Sequence, residues 1–308
     1  MMTSRLPSAL LSGLCVAFLV CGDVTDRFQT PPGCADFFYK GQPPSGFVAN
    51  SQSRLCQRLS GKLYFATLYD RSGRLPVYSA FRYKFQAKDV PRGKGVDRSW
   101  KYEPQLVNER ADGNMSNLTA SALRDPAMRR SQAAEVTYPL KLGEVHYIRG
   151  QLNPANFQGS RDSRSATFTL TNAITYPRTF HQRSWKPTLN KVAQRLRDEC
   201  QKSHAYLLAG ATRQKRGKEV WAPPRGKGRT AVPQTIWIAF CCANGVSGAT
   251  VGHPQGTGKL SLSGMELGPY DTRELSVHEL EGVLAQTTGR HSIRLFDGGC
   301  TQLSGNEN

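Results

Sequence analysis

Apolar and polar residues alternate along several short stretches of this chain, and helical spacing recurs in two places. Residues 63–69 read as a strand, Asp70-Arg71-Ser72-Gly73 as a turn, and residues 75–83 as the returning strand of a hairpin. Residues 145–148 and 166–172 read as two further short strands. Leu189, Val192, Ala193 and Leu196 recur at helical spacing, which predicts an amphipathic helix over 188–200 with Pro187 just ahead of it. Residues 205–210 and 236–240 are continuous apolar runs of the buried-strand type. Ser276-Val277-His278-Glu279 is a capping box that opens a helix with Leu280, Val283 and Leu284 facing inward. Hairpins dominate and strands do not alternate regularly with helices. The expectation is an α+β fold.

The pattern also divides the chain. Residues 9–20 form a short apolar run after Arg5, and Val20-Cys21-Gly22 suits cleavage before Asp23. That predicts a secretory signal over 1–22 and a secreted, extracellular protein. The run is shorter than the roughly 20 residues a membrane-spanning helix needs, and no later segment is apolar enough to span. Residues 23–58 are turn-rich and read as an N-terminal arm, with one domain over 59–308.

Charge narrows the possible partners. Lys+Arg minus Asp+Glu is 41 − 23 = +18 over 308 residues, which excludes an acidic solvating protein and favours nucleic acid or another polyanion. Arg225, Lys227 and Arg229 lie in a strongly basic loop over 213–229 and are candidate phosphate contacts. Six cysteines follow the signal: Cys34, Cys56, Cys200, Cys241, Cys242 and Cys300. An even count in an oxidising compartment suggests disulfides, of which the local pair Cys34–Cys56 is favoured. Cys241 and Cys242 are adjacent on a strand, point to opposite faces and must take different partners. Asn114 and Asn117 begin two glycosylation sequons. Gly258-Lys259 lacks the remainder of a P-loop, and no G-x-S-x-G or H-E-x-x-H occurs.

One set of motifs carries chemistry. Arg149-Gly150-Gln151, the 167–172 segment ending in Asn172, and His181-Gln182-Arg183-Ser184-Trp185 fall in order along the chain. Arg98-Ser99-Trp100-Lys101 precedes them, and Val232-Pro233 with Ile236-Trp237 follows. Over roughly 55–300 this arrangement resembles the DNA/RNA non-specific endonucleases, of the ββα-metal or His-Me finger fold. Within them, Leu68-Tyr69-Asp70-Arg71-Ser72 and Phe240-Cys241-Cys242 are similar to the endonuclease domain-containing 1 group. The resemblance implies a central, mainly antiparallel sheet flanked by helices, and metal-assisted phosphodiester hydrolysis. A histidine ending the first strand is the base, an asparagine on the following helix holds Mg²⁺, and arginines grip the phosphate.

This chain departs from that pattern at the chemical positions. Gln151 stands at the base histidine, Ile148 at the preceding acid, His181 at the metal-ligand asparagine and Leu189 at the supporting glutamate. Arg98, Arg149 and Asn172 are retained. The expectation is a nuclease-fold protein that binds nucleic acid through phosphates with impaired catalysis. The alternatives are an active enzyme rebuilt around His181, with a softer metal than Mg²⁺, and a secreted structural protein without nucleic-acid binding.

Overall fold

The computed structural model describes residues 23–31, 33–47, 51–83, 95–134, 140–200, 204–214, 219–222, 230–256, 258–262, 264–297, 300 and 302–303. Two sheets position the site. Their strands are β1 (Val24–Thr25), β2 (Gln52–Leu59), β3 (Lys62–Asp70), β4 (Leu75–Tyr83), β5 (Leu140–Leu142) and β6 (Val145–Gln151). β7 (Ala173–Pro177), β8 (Ala205–Thr212), β9 (Thr235–Cys242), β10 (Val246–Gly252), β11 (Thr272–Leu275) and β12 (Gln302–Leu303) complete them. Nine form one sheet in the order β1-β2-β3-β4-β8-β9-β10-β11, with β12 pairing β10 in parallel. The other pairs in that sheet are antiparallel. β5, β6 and β7 form a separate antiparallel sheet.

Strand β9 is buried along its whole length, because both faces of the large sheet are covered. Ile236, Ile238, Phe240 and Cys242 pack with Phe65, Phe81 and Leu207 on one face. Trp237, Ala239 and Cys241 pack with Leu68, Tyr78 and Leu208 on the other. The small sheet and the helix after it supply the first layer through Tyr176, Phe180, Trp185, Val192 and Leu196. Phe28, Phe38 and Phe47 build the second layer together with the C-terminal helix Val277–Thr288, which contributes Leu280, Val283 and Leu284.

Local chemistry sets the boundaries. The β3–β4 turn is held by Asp70, whose Oδ1 accepts from the Ser72 amide at 2.9 Å and the Ser72 hydroxyl at 2.7 Å. The expected capping box is present: the Glu279 amide donates to Ser276 Oγ at 3.1 Å, and the Ser276 amide to Glu279 Oε2 at 2.7 Å. Cys34 bonds Cys56, Cys200 bonds Cys242, and Cys241 bonds Cys300. The adjacent cysteines therefore tie β9 to a different layer on each face. Of the sequon asparagines, Asn114 is half-buried, with Oδ1 accepting from the Gly61 amide at 2.7 Å, while Asn117 is exposed.

Three expectations change. The boundary between an arm and a domain at 58/59 is not a structural one, because β1 and β2 are integral strands and β2 pairs with β3 along its length. Residues 166–172 do not form a strand. Arg161–Ala166 is a helix opened by a Ser160–Ser163 capping box, the Thr167 hydroxyl bonds back to Arg164 O at 2.7 Å, and Leu170–Asn172 is a 3-10 turn. Side chains that satisfy nearby backbone in this way draw the segment out of extended geometry. The helix expected over 188–200 begins earlier. Arg178–Phe180 leads through a π turn, His181–Trp185, into Lys186–Glu199. The wide turn lets the Lys186 amide reach His181 O and places Pro187, which has no amide to donate, in the first turn of the α segment. The expected signal at 1–22 lies outside the described residues. No helix among the described residues is long and apolar enough to cross a membrane.

The tightest approach in the large sheet is at Gly210, where a Cβ would fall 1.9 Å from Trp237 Cζ2. Gly210→Ala is expected to lower the stability read from urea unfolding by about 1–3 kcal/mol through overpacking. Gly282→Ala, on the C-terminal helix with nothing within 4 Å, is expected to raise it by about 0.5–1 kcal/mol.

Candidate active site

Strands β6 and β7 and the helix beginning at Arg178 form a ββα unit. Ile148 pairs with Tyr176 and Gln151 with Ala173, so the Arg149-Gly150-Gln151 motif ends the first strand of the unit. Gly150 is required there by contact: a Cβ would meet the Tyr176 hydroxyl at 2.0 Å. Tyr176 is fully buried, and burial pushes its phenol far up, so it stays a hydroxyl. That hydroxyl lies 3.2 Å from His181 Nδ1, and the two rings stack at 9° with centroids 5.5 Å apart.

This pairing decides what His181 presents. A buried hydroxyl needs an acceptor, and Nδ1 is its partner among the described residues. The proton of the neutral imidazole is then on Nε2. Burial, and secondarily the Lys186 charge, hold the His181 pKa below the ordinary histidine value. Near neutral pH His181 therefore offers an N–H donor.

The Gln151 side chain also donates: Nε2 reaches Thr167 Oγ1 at 2.7 Å, and that hydroxyl donates to Arg164 O. A carboxamide has no basic nitrogen lone pair and does not accept a proton near neutral pH. Asn172, expected beside the chemistry, is a structural staple instead. It is fully buried; Oδ1 accepts from the Asn153 amide at 2.8 Å, and Nδ2 donates to Asn153 O at 3.0 Å and Thr167 O at 2.8 Å. These three bonds close the base of the long β6–β7 connection.

Arg149 and the Arg98-Ser99-Trp100-Lys101 segment come together. The Arg149 guanidinium lies 4.8 Å from the Trp100 ring centroid, and Trp100 meets Phe168 edge-on at 5.8 Å. Lys101 docks the segment on the finger through its amide to Phe168 O at 2.8 Å. Its ammonium is buried and committed to Asp97 at 2.9 Å; that bond, then the Ser99 amide, holds the Asp97 carboxyl down at about 2. Arg98 is exposed. Arg225, Lys227 and Arg229 lie outside the described residues, between two strands, Val220–Ala222 and Thr230–Val232, that pair with each other.

The donor set does not fit Mg²⁺. The ion takes near-octahedral oxygen ligands, yet the expected ligand position carries an imidazole with Nδ1 engaged. Leu189 packs against the apolar core where the supporting carboxylate is expected, and both Asn172 amide atoms are used internally. No group of three or more His, Cys, Asp or Glu side chains among the described residues converges as a metal shell.

With the ββα geometry in hand, comparison with known proteins decides the family. The family described as DNA/RNA non-specific endonuclease matches residues 46–297. The chain belongs to the DNA/RNA non-specific endonuclease family. Among curated proteins of the family it is 36% identical over 212 residues to the Homo sapiens "Endonuclease domain-containing 1 protein", covering 68% of this chain and 39% of that protein. It is 30% identical over 275 residues to the Mus musculus protein of the same name, covering 88% of this chain and 48% of that one. The chain thus spans about two-fifths to one half of these relatives. A solved EndoG/EndoGI complex is similar at 16% identity and TM-score 0.43, covering 76% of this chain and 84% of that one. That likeness is too distant to carry weight here.

Sequence reasoning missed three partners in the candidate site: Tyr176 beneath His181, Thr167 beside Gln151, and Trp100 as the platform for Arg149. The Arg98-Ser99-Trp100-Lys101 motif signalled the last, whereas nothing in the local pattern marks Tyr176 or Thr167.

Two measurements test these roles. Asn172→Ala is expected to cost about 2–4 kcal/mol of stability by orphaning the Asn153 and Thr167 backbone groups it serves, seen as a lowered unfolding midpoint. NMR titration should place the His181 pKa below the ordinary 6.5. The unfolded chain then binds the His181 proton at a higher pH than the folded one. This group's contribution is complete above 6.5 and is lost as pH falls from there through the folded value.

Proposed function

We propose that this chain is a secreted, nucleic-acid-binding member of the endonuclease family in which hydrolysis is impaired. The observation that carries the reading is Gln151: the position of the general base holds a carboxamide whose nitrogen donates to Thr167. Loss of a general base costs about 10²–10⁴-fold in rate. The donor set around His181 and Leu189 removes a second requirement of the family's chemistry.

Binding has separate support. Arg98 and Arg149 are retained beside Trp100, and removal of residues 1–22 takes away one charge, Arg5, leaving 18 − 1 = +17. Arginine forks suit phosphate oxygens, and the basic 213–229 segment adds long-range attraction. Nucleic acid is favoured over other polyanions by family membership. The reading of an enzyme rebuilt on His181 is weaker, because Nδ1 is engaged by Tyr176 and Nε2 carries the proton.

A plasmid-nicking assay of the purified protein with Mg²⁺, Mn²⁺ and Zn²⁺ is expected to show little or no cleavage, and Gln151→His alone should not restore full activity. Robust cleavage abolished by EDTA and by His181→Ala overturns the proposal in favour of the rebuilt site. Binding to duplex DNA should weaken with salt at a slope of about −0.9 per neutralised phosphate. Arg225, Lys227 and Arg229 changed together to Ala should flatten that slope by about two to three units. Salt-independent affinity removes the phosphate-binding reading.

A further inference from the structure

A cluster of buried polar groups at the start of the described chain plays no part in the nuclease site. Asp23 and Glu103 are both 0% exposed, and burial pushes both carboxyl groups up, with the neighbouring Glu103 charge raising Asp23 further. Glu103 Oε1 accepts from the Thr169 and Thr171 hydroxyls at 2.9 Å each, and Gln57 Nε2 donates to Thr171 Oγ1 at 3.3 Å. Among the described residues, neither Asp23 carboxyl oxygen, nor Glu103 Oε2, nor the fully buried Gln57 Oε1 meets a hydrogen-bond donor. Arg58 is close enough for its charge to act on Asp23, but its Nη1 donates to Gly61 O at 3.1 Å and its Nε bonds neither acid. Among the described residues the cluster thus holds buried acceptors without donors and acids with no bonded cation, although the Arg58 charge is near, an expensive arrangement inside a protein.

Asp23 is also the residue before which the apolar N-terminal run and Val20-Cys21-Gly22 place a cleavage. Its backbone is held from the next residue onward. Asp23 O accepts from the Cys56 amide at 2.8 Å, the Val24 amide donates to Gln105 Oε1 at 3.0 Å, and Val24 pairs with Leu55. Asp23 and Val24 are thus seated on β2 by their own backbone bonds.

We propose that cleavage of the Gly22–Asp23 bond completes this cluster. A signal-type peptidase adds one water across the amide. The carboxylate departs on Gly22, and the Asp23 nitrogen takes a proton to become an α-ammonium with three N–H donors. That nitrogen is three bonds from the Asp23 Cγ, within about 4 Å of it by covalent geometry. The ammonium forms a buried ion pair with the Asp23 and Glu103 carboxyls, supplying the donors and the directly bonded positive charge that Arg58 does not. Cleavage is therefore a step in the maturation of the fold as well as the removal of a targeting segment, and the full-length precursor holds the same acids without their partner.

The test uses the chain as secreted by cultured eukaryotic cells. N-terminal sequencing should read Asp23-Val24-Thr25. The secreted chain should melt about 5–10 °C above the same chain carrying an added Gly-Ser before Asp23. This gap should largely close when both are compared as the Asp23→Asn, Glu103→Gln double variant. Labelling of the wild-type chain with a reductive-methylation reagent needs no variant, and it should modify the α-amine at least about tenfold more slowly than exposed lysines. A mature N-terminus elsewhere, an extended chain as stable as the secreted one, or an α-amine as reactive as surface lysines overturns the proposal. Equal stability of the extended chain points instead to trapped water or a cation as the partner of the acids.

Discussion

The structure depends on one strand that is buried on both faces. β9 cannot form unless a layer covers each side of it, since Ile236, Ile238 and Phe240 face one way and Trp237 and Ala239 the other. The ββα unit is one of those layers. Tyr176, Phe180 and Trp185 serve at once as core and as the mount for the functional positions, so the finger is held by the same contacts that stabilise the sheet. The residues that hold the finger in place through this coupling are distinct from Gln151 and Arg149 at the candidate site.

Within the finger, Gln151, His181 and Leu189 are each taken up by the surrounding structure. Gln151 found an acceptor in Thr167, His181 found a donor in Tyr176, and Leu189 joined the apolar layer. The arginine side is different in kind. Arg149 lies over an aromatic face, with its guanidinium 4.8 Å from the Trp100 ring centroid, a cation–π contact.

Much of this was readable in the sequence. The β3–β4 hairpin, the apolar runs of β8 and β9, the Ser276 capping box and the opposed cysteines follow from periodicity and turn chemistry alone. β2 was missed because two of its inward positions, Ser53 and Gln57, are polar and buried, which erases the apolar alternation that marks a strand. Residues 166–172 misled for the opposite reason: Thr-Phe-Thr-Leu-Thr alternates like a strand, but the Ser160, Ser163 and Thr167 hydroxyls satisfy local backbone groups first. In the site, motif order put Gln151 at the end of a strand and His181 on the helix that follows, as they lie in the ββα unit. It assigned Asn172 to chemistry where the geometry assigns it to closing a loop, since a motif records where a residue falls and not which of its atoms are already engaged.

The adjacent cysteines of β9 have a consequence for how the chain verifies its own assembly. A strand that slips by one residue against its neighbours exchanges its two faces entirely. Cys241 and Cys242 would then trade sides, and each would confront the other's partner, so Cys200 and Cys300 would be offered the wrong sulfur. The correct pair of bonds can close together only when every side chain of β9 is on its proper face. The two disulfides thus act as a parity check on the sheet, converting a geometric error invisible to backbone hydrogen bonding into a covalent mismatch that thiol exchange can undo.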